Sequence, residues 1–183
     1  MEIERKFLVR RLPEEPPVKA VIISQSYVST DPVIRIRRTQ LLPPKEAEIV
    51  RRTGGTVLAK ENKAFLQSLP EPSYRLTLKG SGMVAREEYE LSLGKSQYKA
   101  LKRKREGQPI RKIRYNYPLE NGLTAEVDVF GGHMKGLVMA EVEFPDLASS
   151  EAFVPPEWFG EEVSLDKRFH NSHMIDCEPY INW

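Results

Sequence analysis

Residues 1–7, Met1-Glu2-Ile3-Glu4-Arg5-Lys6-Phe7, set two carboxylates and an ammonium at alternate positions. In a β-strand alternate side chains share a face, so Glu2, Glu4 and Lys6 are expected to point one way and Ile3, Arg5 and Phe7 the other. Neighbouring carboxylates suit a hard divalent cation, Mg2+ or Mn2+, and the adjoining ammonium suits an anion that the same metal holds. Taken alone, the motif reads more simply as an edge strand with its charges in water, a common pattern in antiparallel sheets. The remainder of the chain shifts that balance.

The same alternation recurs along the sequence. A stretch near 19–29 puts Val21, Ile23, Gln25 and Tyr27 on one face, and residues 33–38 put Arg35 and Arg37 together. Residues 74–79 align Arg75, Thr77 and Lys79; after a Gly80-Ser81-Gly82 hairpin signal, residues 86–91 align Arg86, Glu88 and Glu90. Residues 111–117 pair Lys112 with Arg114, 125–129 pair Glu126 with Asp128, and 137–144 pair Glu141 with Glu143. Apolar residues fill the opposite faces. Segment 40–73, bracketed by prolines and holding Gly54-Gly55, reads as an inserted loop or short helix between two strands. A helix is expected from about Ser96 to Gly107, with Tyr98 and Leu101 on its apolar side. Its cluster of Lys99, Lys102, Arg103, Lys104 and Arg105 reads as a solvated face rather than an RNA patch. The tail beyond Phe159 is expected to hold a short strand or turn and a frayed helix.

At 183 residues the chain suits one domain, 1–183. Its 28 Lys and Arg face 26 Asp and Glu, a balance that predicts no nucleic-acid partner by bulk attraction. A single cysteine, Cys177, leaves no intramolecular disulfide and fits a reducing compartment; no apolar run has the length of a membrane span or signal peptide. A cytoplasmic location with no membrane partner is therefore expected. A homo-oligomer is compatible with the sequence, which carries no signal for or against one.

Charges of both signs on one face must be offset, and few strong helices are apparent to cover the apolar face. Both points favour a predominantly β fold with peripheral helices, an eight-stranded antiparallel closed β-barrel whose lumen is polar. A polyanion for the cations and metals for the carboxylates would satisfy such a lumen.

The stretches at 1–7, Gln25-Ser26-Tyr27, Arg35-Ile36-Arg37, Leu76-Thr77-Leu78-Lys79, Arg86-Glu87-Glu88-Tyr89-Glu90, Lys112-Ile113-Arg114-Tyr115, Glu126-Val127-Asp128-Val129-Phe130, Glu141-Val142-Glu143-Phe144 and Trp158-Phe159-Gly160-Glu161-Glu162-Val163, in this order, resemble the CYTH family of triphosphate tunnel metalloenzymes. The resemblance extends to Asp166-Lys167-Arg168-Phe169 and is strongest to bacterial-type inorganic triphosphatases. It implies metal-dependent hydrolysis of inorganic triphosphate (tripolyphosphate) to diphosphate and phosphate, with Glu2, Glu4, Glu141 and Glu143 holding Mg2+ or Mn2+. Lys6, Arg35, Arg37, Lys79, Arg86, Lys112 and Arg114 would bind the substrate, and Tyr27, Lys79 and Lys112 would act in catalysis. Glu88, Glu90, Glu126 and Asp128 would hold basic side chains in place. Segment 40–73 stands out as a part that compact relatives lack.

Nucleoside or thiamine triphosphatase activity, class IV adenylate cyclase activity and a non-catalytic polyphosphate-binding module are the alternatives. The cyclase motif carries a histidine in the second strand, where this chain has Gln25-Ser26-Tyr27. His133, His170 and His173 are expected in local hydrogen-bonding roles, Cys177 as an inert thiol, and Asp166 as the partner of a lumen arginine.

Overall fold

Each alternating stretch forms a strand in the structure, a computed structural model that describes residues 3–53, 63–79 and 88–180. The strands are β1 (Ile3–Val9), β2 (Lys19–Thr30), β3 (Val33–Leu42), β4 (Ser73–Lys79), β5 (Glu88–Ser92), β6 (Glu106–Pro118), β7 (Thr124–Gly131) and β8 (Val138–Phe144). A ninth, β9 (Phe159–Glu162), comes from the tail. All pair antiparallel in one sheet of order β5-β4-β3-β2-β6-β7-β8-β1-β9. Among the described residues four short α-helices accompany it: α1 (Pro44–Arg52), α2 (Lys63–Ser68), α3 (Lys95–Lys102) and α4 (Leu147–Ala152). No described helix is long and apolar enough to cross a membrane.

The expected eight-stranded closed barrel is met only in part. The fold is predominantly β and antiparallel, but among the described residues the sheet has nine strands and no ladder joins the two ends of the strand order, β5 and β9. The outer face, whose apolar side chains must be kept from water, is covered by short elements. Phe7, Ile22, Ile113, Tyr115, Val127, Ala140 and Val142 form one buried cluster there. Ala47 and Val50 of α1, Leu69 beyond α2, and Phe153 and Phe159 pack into the same cluster. The helices are short, but with the aromatic loop before β9 they supply the cover.

Segment 40–73 accordingly belongs to the core. Its first residues continue β3, Ala20 facing Leu42 across the ladder. Pro44 opens α1, where a missing N–H costs nothing because the first turn has no intrahelical acceptor for it. Arg51 then ties α1 to the loop after β1 by donating to the Pro13 carbonyl at 3.0 Å. Buried Gln40 donates from Nε2 to the carbonyls of Leu66 and Pro70, 2.9 Å each, fastening the return of the segment to β3. The short helix offered for segment 40–73 is met by two, α1 and α2, while residues 54–62 lie outside the described ones.

Leu69→Ala tests this integration. Removing a buried side chain at 7% exposure should lower unfolding free energy by about 2–5 kcal/mol, read from urea denaturation with an unchanged m-value. A variant as stable as the parent would show the segment to be detachable from the core.

Candidate active site

Alternation places the charged side chains on the inner face, where they line a cavity of about 680 Å³. The neighbouring strands β6, β7, β8 and β1 carry a continuous chain of ion pairs across it. Lys112 Nζ contacts Asp128 Oδ2, and Arg114 grips the same carboxylate with Nε at 2.7 Å and Nη2 at 2.6 Å. Arg114 also reaches Glu126 and Glu141; Glu141 Oε1 takes Lys6 Nζ at 3.1 Å, and Lys6 reaches Glu4 at 2.9 Å. The register explains the sequence of contacts, because Arg114 faces Asp128, Glu126 faces Glu141, Lys6 faces Glu141 and Glu4 faces Glu143.

Burial opposes the charge on Lys6, but Glu141 and Glu4 outweigh it and raise its pKa. Glu141 is the mirror case: burial resists its ionisation, yet Lys6, Arg114 and Lys112 hold it well below the usual carboxylate range. Lys112 goes the other way. Burial and the adjacent Arg114 pull its pKa down, against the opposing pull of Asp128 and Glu141.

The strands on the other side of the cavity form a separate group. Arg35 donates to Thr77 Oγ1 at 3.2 Å and lies 3.5 Å from Glu88; Thr77 in turn donates to Glu90 at 3.3 Å. Between the two groups stands Arg37. It makes no ion pair with a described residue, its Nε is buried without a hydrogen-bond partner, and burial together with Arg35 and Arg114 lowers its pKa to about 10. It remains charged at neutral pH, a cation whose nearest strong influences are other cations. Tyr27 is also buried, 4% exposed, with its hydroxyl accepting from Gln25 Nε2 at 3.4 Å. Burial raises its pKa, so it is a neutral phenol able to donate.

The tail supplies the last wall. Val163 N donates to the Lys6 carbonyl at 2.8 Å and Ser164 Oγ accepts from Lys6 N at 2.9 Å, fixing one end to β1. At the other end Gln108 N donates to the Ile175 carbonyl at 2.8 Å. Gly107 has φ +57°, and a Cβ there would lie 2.7 Å from that carbonyl oxygen. Between these anchors Phe169, Met174 and Ile175 bury against Tyr27, Ile110, Phe130 and Met139, leaving His170, Asn171 and Ser172 on the cavity wall.

Most of the predicted site residues thus converge: Glu4, Lys6, Tyr27, Arg35, Arg37, Lys112, Arg114, Glu141 and Glu143 all line the cavity. Glu2, Arg86 and the side chain of Lys79 lie outside what is described. Asp128 lies beneath the cavity as the shared counter-ion of Lys112 and Arg114. One expectation is corrected. Arg75 keeps to the inner face, opposite Arg37 across the ladder, but its side chain is 54% exposed and pairs with the cavity-lining Glu90 without lining the cavity itself. Among the described residues Asp166 meets no lumen arginine; it caps the turn at Lys167–Phe169 and pairs with exposed Arg168, its own neighbour in the turn. Sequence reasoning missed Ser164, His170, Asn171 and Ser172, whose irregular segment has no period to reveal its inward side.

No protein-family model matches the chain. An inorganic triphosphatase of Nitrosomonas europaea is 36% identical over 178 residues, covering 97% of this chain and 99% of that one. Another from Acetivibrio thermocellus is 31% identical over 185 residues, covering 100% and 97%. A crystal structure of an inorganic triphosphatase superposes with a TM-score of 0.63 at 34% identity, covering 98% of this chain and 97% of that one. Near-complete coverage on both sides corrects one expectation: segment 40–73 is not an addition to otherwise shorter relatives.

Two variants probe the architecture. Asp128→Ala should destabilise by about 3–5 kcal/mol, because it strands two buried cations; a change no larger than that of an exposed pair such as Asp166–Arg168 would show that the cations are solvated. Gly107→Ala should loosen the tail through strain at a left-handed φ and overlap with Ile175. Hydrogen exchange should then speed up across 163–177 while β7 and β8 keep their protection; uniform exchange throughout would contradict the anchor.

Proposed function

The chain belongs to the bacterial-type inorganic triphosphatases, and from that premise we propose that it hydrolyses inorganic triphosphate to diphosphate and phosphate, with Mg2+ or Mn2+ as cofactor. The observation that carries this reading is the half-buried guanidinium of Arg37, without an ion pair among the described residues and set among Arg35, Lys112 and Arg114 on the wall of a cavity large enough for a small polyanion. A bound phosphate chain relieves that repulsion. Arginine forks at Arg35, Arg37 and Arg114 suit bidentate phosphate contacts, and Lys6 and Lys112 supply further positive charge along the chain. The concave sheet would close around the substrate as a tunnel, with Arg86 and Lys79 adding to the cationic lining.

The carboxylates fit a magnesium-like ion in a particular way. Among the described residues no three carboxylate, histidine or cysteine side chains form a ready-made cage. Mg2+ needs no such cage, since it keeps several waters and commonly takes one or two carboxylates together with substrate phosphates. Glu4 and Glu143, opposite each other on β1 and β8 and both on the cavity wall, match that pattern, and the alternation of the sequence offers Glu2 as a third carboxylate. Glu141 has one oxygen on Lys6 and the other on Arg114, so it serves first to position those cations and only secondarily as a ligand. The metal, when bound, neutralises phosphate charge as it shifts to the leaving group.

Hydrolysis forms a bond between water oxygen and the terminal phosphorus while the phosphoanhydride P–O bond to the leaving diphosphate breaks. Arg35, Arg37 and Arg114 hold the phosphates in line. The Tyr27 phenol, kept protonated by burial, donates to an oxygen near the reacting centre, with Lys79 as its partner. Lys112, its charge held by Asp128, stabilises negative charge from the opposite wall.

Phosphate release from triphosphate should require Mg2+ or Mn2+, stop with a chelator, and exceed release from ATP or thiamine triphosphate. Tight binding with no release under any divalent metal would reduce the protein to a polyphosphate receptor. Glu4→Gln should raise the Mg2+ concentration needed for half-maximal rate; activity equal to the parent at limiting Mg2+ would remove Glu4 from the metal site. Tyr27→Phe should lower kcat by about 10- to 1,000-fold. Arg37→Ala should mainly raise KM, as expected for a group that binds ground and transition states alike.

A further inference from the structure

We propose that the outer face of the sheet carries a second anion site, where Arg38, Lys102, Arg105 and Arg111 bind an inorganic oligophosphate. The strand register builds its floor. Ser24 of β2 lies opposite Arg38 of β3 on one side and Arg111 of β6 on the other, so the two arginines flank a small hydroxyl residue in one row across three strands. Helix α3 packs over β2, β3 and β4 and brings Lys102 to this row; Arg105 follows immediately, its guanidinium donating to the Lys102 carbonyl at 3.3 Å.

Several of the chain's other cations are neutralised by a carboxylate. Arg5 pairs with Glu162, Lys6 with Glu4 and Glu141, Arg51 and Arg52 with Glu48, and Arg75 with Glu90. None of the four outer-face cations has a carboxylate partner among the described residues, although three of them are partly buried. Lys102 registers the consequence: burial and then Arg111, Arg105 and Arg38 push its pKa down. Like charges gathered in this way oppose folding unless an external anion joins them.

The chemistry favours a compact phosphate oligomer over nucleic acid. Single-stranded nucleic acid is held by exposed aromatic platforms as well as charge. Here the nearby Tyr98 is 3% exposed and its ring lies 4.8 Å from that of Tyr74, which leaves no free face for a base. Three guanidinium forks and one ammonium match closely spaced phosphate oxygens instead. The site is separate from the cavity, since Arg38 and Arg111 are the outward-facing chain neighbours of Arg37 and Lys112, and it does not depend on the hydrolytic reading.

The test is calorimetry at low salt on the full chain with imidotriphosphate, whose P–N–P links resist cleavage. Arginine Nε–Hε resonances are followed in parallel. Wild type should show two binding events, the outer one shifting the Arg38 and Arg111 signals. Lys102→Gln/Arg105→Gln should weaken the outer event by about tenfold or more, leaving the first event and triphosphate turnover unchanged. One event in wild type with unmoved Arg38 and Arg111 signals overturns the proposal, as do two events of parental strength in the double variant. A single-stranded RNA that moves those signals when imidotriphosphate does not would assign the patch to nucleic acid and also overturn it. Should the double variant fail to fold, the wild-type arginine signals still decide.

Discussion

The inner face depends on a single constraint: charges withdrawn from water must be compensated where they lie. Isolated, each buried ion would be held at a cost of several kcal/mol. The relay from Lys112 through Asp128, Arg114, Glu141 and Lys6 to Glu4 meets that demand by linking residues on four adjacent strands. Because each contact needs its partner at one register position, a slip by one residue would turn every member of the affected strand to the outer face. The relay therefore specifies register as well as site geometry. It also accounts for Asp128, fully buried between two cations, as a structural element rather than a reacting one.

Apolar material is divided to serve this arrangement. The outer face is covered along most of its breadth by α1, α2, α4 and the aromatic loop before β9. On the inner face the apolar cluster is confined to one end, where the tail packs Phe169, Met174 and Ile175 onto Tyr27 and Phe130. That division leaves the charged half of the inner face as a wall rather than a core. Tyr27 sits on the boundary between them, which is why its ring is packed and its hydroxyl still meets polar neighbours.

The strands and most of the cavity lining were legible in the sequence because a β-strand converts spacing directly into facing. Arg35 and Arg37, Lys112 and Arg114, and Glu141 and Glu143 needed only the two-residue period to be placed together. The expectation of closure rested on judging short elements too weak to cover the apolar face. Val50 of α1 and Leu69 beyond α2 show that a few well-placed side chains from short elements are enough. The tail was opaque for a different reason. Between Val163 and Ile175 it has 3-10 turns and bends, with no period to show which side faces in, so its route from Lys6 to Gln108 follows from tertiary hydrogen bonds alone. Asp166 failed similarly, captured by Arg168, its own neighbour in the turn.

The two sides of the cavity are compensated unequally, and this asymmetry gives the site its preference. On the β1 and β8 side, carboxylates and cations alternate and leave little unbalanced charge. On the β3 side, Arg37 has only distant carboxylate influence from Glu90 and Asp128, set against burial and two nearby guanidiniums. A ligand that stabilises this state must bring dense negative charge to Arg37. It must also avoid adding unneutralised negative charge beside Glu4 and Glu143 at the opposite wall. A chain of phosphates carrying its own divalent cation satisfies both conditions at once, whereas a bare monovalent anion satisfies only the first. Under the proposed reaction, the same ionic balance that holds the strands in register therefore selects a metal-bound oligophosphate over simpler anions.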